Sequence, residues 1–174
     1  IAEYILAHFL NTEHDMFFYT PDNAESLFAR KTDYSDNVIP ASASVAANVF
    51  YSLGLFTGEI KFTDIAKKML SKVIAETTEH GVYYANWAQL LGKLTHPEVE
   101  IVLAGNEAIQ TAEEILRYYL PDSIVAGGAS ENINMLKNRI FEGKNLIYFC
   151  KDKACALPTE NISEILEKIL LLKN

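Results

Sequence analysis

The sequence predicts a mixed α and β fold, mostly helical, in which antiparallel helical hairpins precede a small, mostly parallel three-stranded α/β unit. Three observations point there. Up to Leu94 apolar residues recur at helical spacing. Beyond Pro97, short apolar and β-branched runs alternate with helical stretches, as in small parallel sheets. Between the first two helical segments lies one long irregular stretch, Asn11 to Pro40, rich in Asp, Asn, Thr, Pro and aromatic residues.

The elements follow in order. Ile1, Ala2, Ile5, Leu6 and Phe9 form the stripe of a first helix. Phe17-Phe18-Tyr19 reads as a short strand inside the irregular stretch. A second helix spans about Ala41 to Phe56, entered through Pro40 and stopped at Gly58, with Val45, Ala46, Val49, Phe50 and Leu53 on its inner face. A third runs from about Asp64 to Glu79, capped by Thr63 or Asp64, and buries Ile65, Ala66, Met69, Leu70, Val73 and Ile74. A fourth, Val82 to Leu94, carries Trp87, Leu90 and Leu91.

Strands are then expected at Val99–Ala104, Ser123–Ala126 and Asn145–Cys150. The helix Glu107 to Tyr119 and a short helix around Met135 to Ile140 lie between them. A last helix follows, with Asn161 and Glu164 as its capping box and Ile162, Ile165, Leu166 and Ile169 inward. Residues 1–97 are therefore read as helical hairpins with a long loop at 11–40, and residues 98–174 as a small α/β appendage.

Composition bounds the function. The chain has 174 residues, 49% hydrophobic and 22% charged, enough for a sizeable core and ordinary for a globular protein. A net charge of −8 with scattered lysines excludes the basic stripe that nucleic acid or an anionic membrane requires. No apolar run is long enough to span a bilayer, and no basic stretch leads an apolar one at the start, so a cytoplasmic protein is expected. The chain opens inside a helix without an initiating Met, which reads as the C-terminal portion of a larger protein.

Candidate chemistry concentrates in the irregular stretch, at His14, Asp15, Asp22, Glu25, Arg30, Asp33, Tyr34, Asp36 and Asn37. Carboxylates beside aromatic rings suit a sugar, because acids work on oxygen while rings stack on the apolar sugar face. The same residue types also serve loops, where Asp and Asn bond to nearby backbone. Asp33 to Ser44 reads either as an ordinary helix entry with hydroxyl capping or as a pocket mouth, with Asp36 and Asn37 where helix N-termini converge and Ser42 in the first turn beyond Pro40. Trp87 is either core or a stacking wall. The ligand-binding candidates are thus Asp22, Glu25, Arg30, Asp33, Asp36, Asn37, Ser42 and Trp87, for a possible sugar ligand. No metal and no cofactor is expected: there is no P-loop, no Gly-x-Gly-x-x-Gly and no His-rich ligand set. Gly105-Asn106-Glu107 reads as a βα turn. Cys150 and Cys155 read first as buried thiols, with a disulfide or a redox role as the alternatives.

Several segments together resemble one family. They are Phe17-Phe18-Tyr19-Thr20-Pro21-Asp22, Leu27-Phe28-Ala29-Arg30-Lys31, Asp36-Asn37-Val38-Ile39-Pro40-Ala41-Ser42-Ala43-Ser44, the strand Val99 to Gly105, and the ending Ile147-Tyr148-Phe149-Cys150-Lys151-Asp152-Lys153-Ala154-Cys155-Ala156-Leu157-Pro158. In order, they resemble the large thioredoxin-domain-containing proteins that include the spermatogenesis-associated members. Where that family reads Pro-Ser-Gly-Asn-Ser, this chain has Pro40-Ala41-Ser42-Ala43-Ser44.

The resemblance implies a preceding thioredoxin-like domain and an α/α toroid similar to six-hairpin glycosidases and N-acylglucosamine epimerases. On that reading residues 1–97 are an arc of the toroid, its partners are the preceding domains of the same protein, and the arc alone is inactive. A scaffold or protein-interaction module is the alternative function. A redox role for the terminal cysteine pair stands third.

Overall fold

In the computed structural model, which describes residues 1–25, 29–96, 99–120 and 123–171, the apolar spacing of the first half resolves into four α-helices. The boundary expected at Pro97 and the Leu27–Phe28 pair of the family resemblance lie outside the described residues. The chain divides into two compact units, Ile1–Leu55 with Glu59–Gly92 and Phe56–Gly58 with Lys93–Asn174.

In the first unit, α1 (Ala2–Phe9) is followed by the short antiparallel pair β1 (Leu10–Asn11) and β2 (Met16–Phe17), in register Leu10 with Phe17. The irregular stretch is pinned by backbone bonds. Phe18 donates to Phe9 O at 2.8 Å, Tyr19 to Lys31 O at 2.7 Å and Asp22 to His8 O at 2.9 Å. The strand read at Phe17–Tyr19 is therefore offset by one residue, with Phe18 continuing it as a bridge to Thr32.

Helix α2 (Ser42–Thr57) ends at Gly58, whose φ of +74° suits a residue without Cβ. Its buried face is Ala43, Ser44, Ala47, Phe50, Tyr51 and Gly54, whereas Val45 and Val49 are exposed. The expected face of Val45, Ala46, Val49, Phe50 and Leu53 is thus rotated. The helix is apolar nearly all round, so its stripe was ambiguous, and the hydroxyl of Ser44 turns inward to a buried carboxylate. Helix α3 (Ile60–Glu79) starts one turn earlier than the spacing suggested. Gly58 and Glu59 alone separate it from α2, and the Thr63 hydroxyl bonds back to Ile60 O at 2.9 Å rather than capping. It buries Phe62, Ile65, Ala66, Met69, Leu70, Val73 and Thr77. Phe50 stacks on Phe17 at 5.2 Å and meets Phe62 at 5.7 Å, joining β2, α2 and α3 in one core. A single 3₁₀ turn, Gly81–Tyr83, leads into α4 (Ala85–Thr95), which buries Trp87 and Leu90.

The second unit is built on a four-stranded sheet in the order β4-β3-β5-β6. β3 (Val99–Ala104) pairs in parallel with β4 (Ser123–Gly128) and antiparallel with β5 (Leu146–Lys151). β6 (Ala154–Cys155) closes a hairpin onto β5. The expected sheet, mostly parallel and three-stranded, is corrected to a mixed one.

The reason is the connection from β4 to β5. Its only helical piece is one 3₁₀ turn, Asn134–Leu136, in place of the helix read at Met135–Ile140. A parallel return needs a crossover along the length of the sheet. A chain that starts back from the end where β4 finishes runs antiparallel without one. The broader prediction, a mixed and mostly helical fold, agrees with the six α-helices and small sheet seen among the described residues.

β3 is buried on both faces from Ile101 to Ala104, which is why those four residues read as one apolar run. Val99, Ile101 and Leu103 pack with Ile147, Phe149, Ile115 of α5 (Ala108–Ile115), and Ile165 and Ile169 of α6 (Ile162–Leu171). Val102 and Ala104 face Ala126, Met135, Leu136, Tyr148 and Cys150, with Phe56 against them. α5 is shorter than read and leaves Ile109, Leu116 and Tyr119 exposed. The α6 cap forms through Asn161 Oδ1, which accepts from Ser163 N at 3.0 Å, while Glu164 meets the Asn161 side-chain amide at 3.5 Å.

Gly105 turns the chain out of β3 at a φ of +140°, with the Asn145 amide oxygen and Lys144 O where a Cβ would sit. Gly105→Ala is expected to destabilise the protein by about 2–3 kcal/mol, because strain and collision coincide. A denaturant melt showing less than about 0.5 kcal/mol would contradict that.

Candidate functional site

The irregular stretch holds most of the candidates, and its internal bonds account for several of them. Asp36 is buried at 4% exposure and each of its oxygens is engaged. Oδ1 accepts from Ala41 N at 2.8 Å and from the Ser44 hydroxyl at 2.6 Å; Oδ2 accepts from Asn86 N at 2.8 Å. The carboxylate therefore caps two helix starts at once, those of α2 and α4, satisfying backbone donors that would otherwise be orphaned. Around it, Asn86 Nδ2 donates to Ser44 Oγ at 3.0 Å, and Asn48 Nδ2 donates to Ser44 O at 3.1 Å and Asn86 O at 2.9 Å. Helix N-termini do converge on Asp36, but its lone pairs are spent on the fold. Asn37 and Ser42, one and six residues after it, are exposed, with Asn37 N bonded to Ile39 O at 3.0 Å.

Arg30 is a latch. Its Nη2 donates to His8 O at 2.8 Å and Thr20 O at 2.7 Å, its Nε donates to Thr20 O at 3.1 Å, and its guanidinium lies 4.1 Å from the Phe18 ring centre. Asp22 pairs with His8 Nδ1 at 2.7 Å on the surface, and this bond holds the Asp22 carboxyl below its ordinary range. Glu25 and Asp33 are exposed, and Asp33 O accepts from Ala43 N at 3.3 Å. Trp87 has no exposed surface, and its indole N–H donates to Tyr34 O at 2.7 Å. It is core. Tyr84, three residues before it, is buried as well, and burial pushes its phenol up, with the charge of Glu76 adding to the effect. Tyr83 is exposed on the 3₁₀ turn.

A groove of about 330 Å³ in this unit brings together a different set: His14, Met16, Thr32, Tyr34, Lys72, Val73 and Glu76. The turn after β1 supplies His14, β2 supplies Met16, the irregular stretch supplies Thr32 and Tyr34, and α3 supplies the rest. Lys72 also pairs with Asp15 at 3.3 Å. The groove thus offers a cation, a carboxylate, an imidazole, a hydroxyl and a ring over an apolar floor, which is the mixture that a small polar ligand uses.

None of the eight ligand-binding candidates lines this groove, although His14 and Tyr34 of the wider acid-rich list do. Lys72 and Glu76 lie outside the apolar stripe that marks α3 in the sequence. Their i, i+4 spacing on either side of Val73 was the available signal. In the second unit, the N–H groups of Gly105, Glu107 and Ala108 are bonded to Gly128 O, Asn145 Oδ1 and Gly105 O, so this turn is a βα connection. An apolar groove of about 310 Å³ lies between α5 and β4, lined by residues that include Ala112, Leu116 and Val125.

Cys150 and Cys155 are joined in a disulfide across the β5–β6 hairpin. This replaces the buried-thiol reading: they are directly opposed residues of one antiparallel pair, a separation that their spacing alone did not reveal. Among the described residues no group of three or more His, Cys, Asp or Glu is arranged to hold a metal, and no helix is long and apolar enough to cross a membrane. No family model, no curated protein and no solved structure matches the chain.

Proposed function

We propose that the helical unit binds a small polar ligand of the carbohydrate class without cleaving it, in the groove bounded by His14, Tyr34, Lys72 and Glu76. The observation that carries this reading is the lining of that groove, where one ring, one carboxylate and one ammonium share an open volume of sugar size. Cleavage is left out because glycoside hydrolysis uses two facing carboxylates. Glu76 is the one carboxylate among the described lining residues, while Asp36 is occupied by three donors.

The reading also takes up the sequence resemblance. On it, this chain is the C-terminal part of a thioredoxin-domain-containing protein, its helices are an arc of a toroid, and the preceding domains of the same chain complete the ring. A cytoplasmic location belongs to the same proposal. A Cys150–Cys155 disulfide would there face a reducing thiol pool.

A thermal-shift panel of monosaccharides and sugar phosphates tests the binding. A ligand at 100 times its Kd stabilises the native state by about 2.7 kcal/mol, or about 5–10 °C for a chain of this size. Glu76→Gln is expected to abolish most of that shift while leaving the unliganded melting temperature within about 2 °C, since the residue is exposed. A panel in which no sugar moves the melting temperature would overturn the proposal.

A further inference from the structure

We propose that the Cys150–Cys155 disulfide is a thiol-exchange site for small-molecule thiols, with Arg139 as the counter-ion of the thiolate that reduction releases. The two sulfurs differ in access. Cys155 lies on the exposed two-residue strand β6, whereas Cys150 has no exposed surface and packs in the sheet core beside Tyr148. One guanidinium spans both: Arg139 Nη2 is 3.5 Å from Cys155 Sγ and 3.9 Å from Cys150 Sγ.

The rest of Arg139 is fixed around that position. Its carbonyl accepts from the Tyr148 hydroxyl at 3.2 Å, and its guanidinium carbon lies 5.1 Å from the Tyr148 ring centre. Its Nη1 is buried with no hydrogen-bond partner. A buried cationic N–H without a partner is costly, and a disulfide sulfur is a poor acceptor for the other nitrogen. A thiolate at Cys150 would supply the missing negative charge, so the surroundings suit the reduced state better than the oxidised one.

The hairpin loop fits the same reading. Asp152 and Lys153, the two residues between β5 and β6, both have positive φ, at 50° and 65°. The turn is held in a conformation that non-glycine residues adopt at a cost. Lys151, Asp152 and Lys153 are the charged groups of this hairpin, and all three are exposed.

The exchange balances with two thiols. The thiolate of the first attacks Cys155 Sγ, the S–S bond breaks, and its electron pair leaves on Cys150 Sγ as a thiolate beside Arg139. The second thiolate then attacks the small-molecule sulfur of the mixed disulfide. The Cys155 sulfur leaves with the electron pair and takes up a proton. The protein disulfide gains two electrons, and the two thiols end as one disulfide.

Glutathione is the probe. The intact oxidised protein is equilibrated in reduced and oxidised glutathione, trapped by alkylation and read by mass spectrometry, for wild type, Arg139→Gln and Arg139→Lys. Wild type is expected to be reduced while still folded, with the mixed disulfide on Cys155. Arg139→Gln should move the equilibrium about tenfold toward the disulfide, the equivalent of one unit in thiolate pKa, and Arg139→Lys should restore part of it. A second measurement needs no variant: the 240 nm absorbance of reduced wild type should show a thiolate forming below the ordinary cysteine value of about 8.5. Reduction only after unfolding, a mixed disulfide on Cys150, an unshifted thiolate titration, or an Arg139→Gln equilibrium equal to wild type would each overturn the proposal.

Discussion

Replacing Asp36 with alanine is expected to cost about 3–5 kcal/mol. The substitution leaves two backbone donors facing a buried gap, the N–H of Ala41 and the N–H of Asn86, and the Ser44 hydroxyl keeps only its bond to Ala41 O at 2.9 Å. Each unsatisfied buried donor costs about 1–3 kcal/mol, and partial relaxation keeps the total below the sum. For a chain of this length the melting temperature should fall by about 10 °C or more. Asp36→Asn keeps the shape but presents an amide N–H₂ to at least one donor, and about half the loss is expected. Pairing Asp36→Ala with Ser44→Ala should give less than the summed losses, because the two residues share one network. Additive losses, or an Asp36→Ala melt within about 2 °C of wild type, would show that the two caps are not joined through this carboxylate.

Trp87→Ala is expected to be of similar size, about 3–5 kcal/mol, for a different reason. Trp87 is the largest fully buried side chain, and its removal leaves a cavity between α4 and its neighbours as well as an unpaired carbonyl at Tyr34. Trp87→Phe separates the two contributions, since it restores most of the volume without the N–H. A loss of about 1–2 kcal/mol is expected there. Equal losses for Ala and Phe would mean that the hydrogen bond, not the packing, carries the residue. Equilibrium urea melts followed by circular dichroism supply both values.

These two residues show where sequence reading succeeded and where it stopped. Helices and strands were legible wherever one apolar period dominated: α3 buries five of its six expected residues, and β3 appears at the expected residues, Val99–Ala104. Orientation was not legible where the period was degenerate. α2 is apolar on almost every side, and its rotation is set by the bond between Asp36 and Ser44, residues eight apart.

The direction of β5 was likewise hidden, because the connection over residues 129–145 carries the apolar residues Ile133, Met135, Leu136 and Ile140, which look in sequence like a crossover helix. At the candidate sites the polar and aromatic residue types are legible in the sequence, but their partners are not. Asp36 finds Asn86, 50 residues away, and Arg30 finds the carbonyl of His8, 22 residues away. Such pairings come from tertiary packing, so a carboxylate destined to cap two helices looks in sequence like one free to do chemistry. Arg139 escaped for the same reason: nothing in its neighbours announces a disulfide across the hairpin.

The most direct test of the ligand proposal is a titration followed by two-dimensional NMR, using whichever sugar or sugar phosphate gives the largest thermal shift. Saturable shifts are expected to centre on the amides of His14, Thr32, Tyr34, Lys72 and Glu76, and to vanish in Glu76→Gln. Shifts centred instead on Asp22, Glu25 and Asp33, or persisting unchanged in Glu76→Gln, would contradict the groove as the binding site.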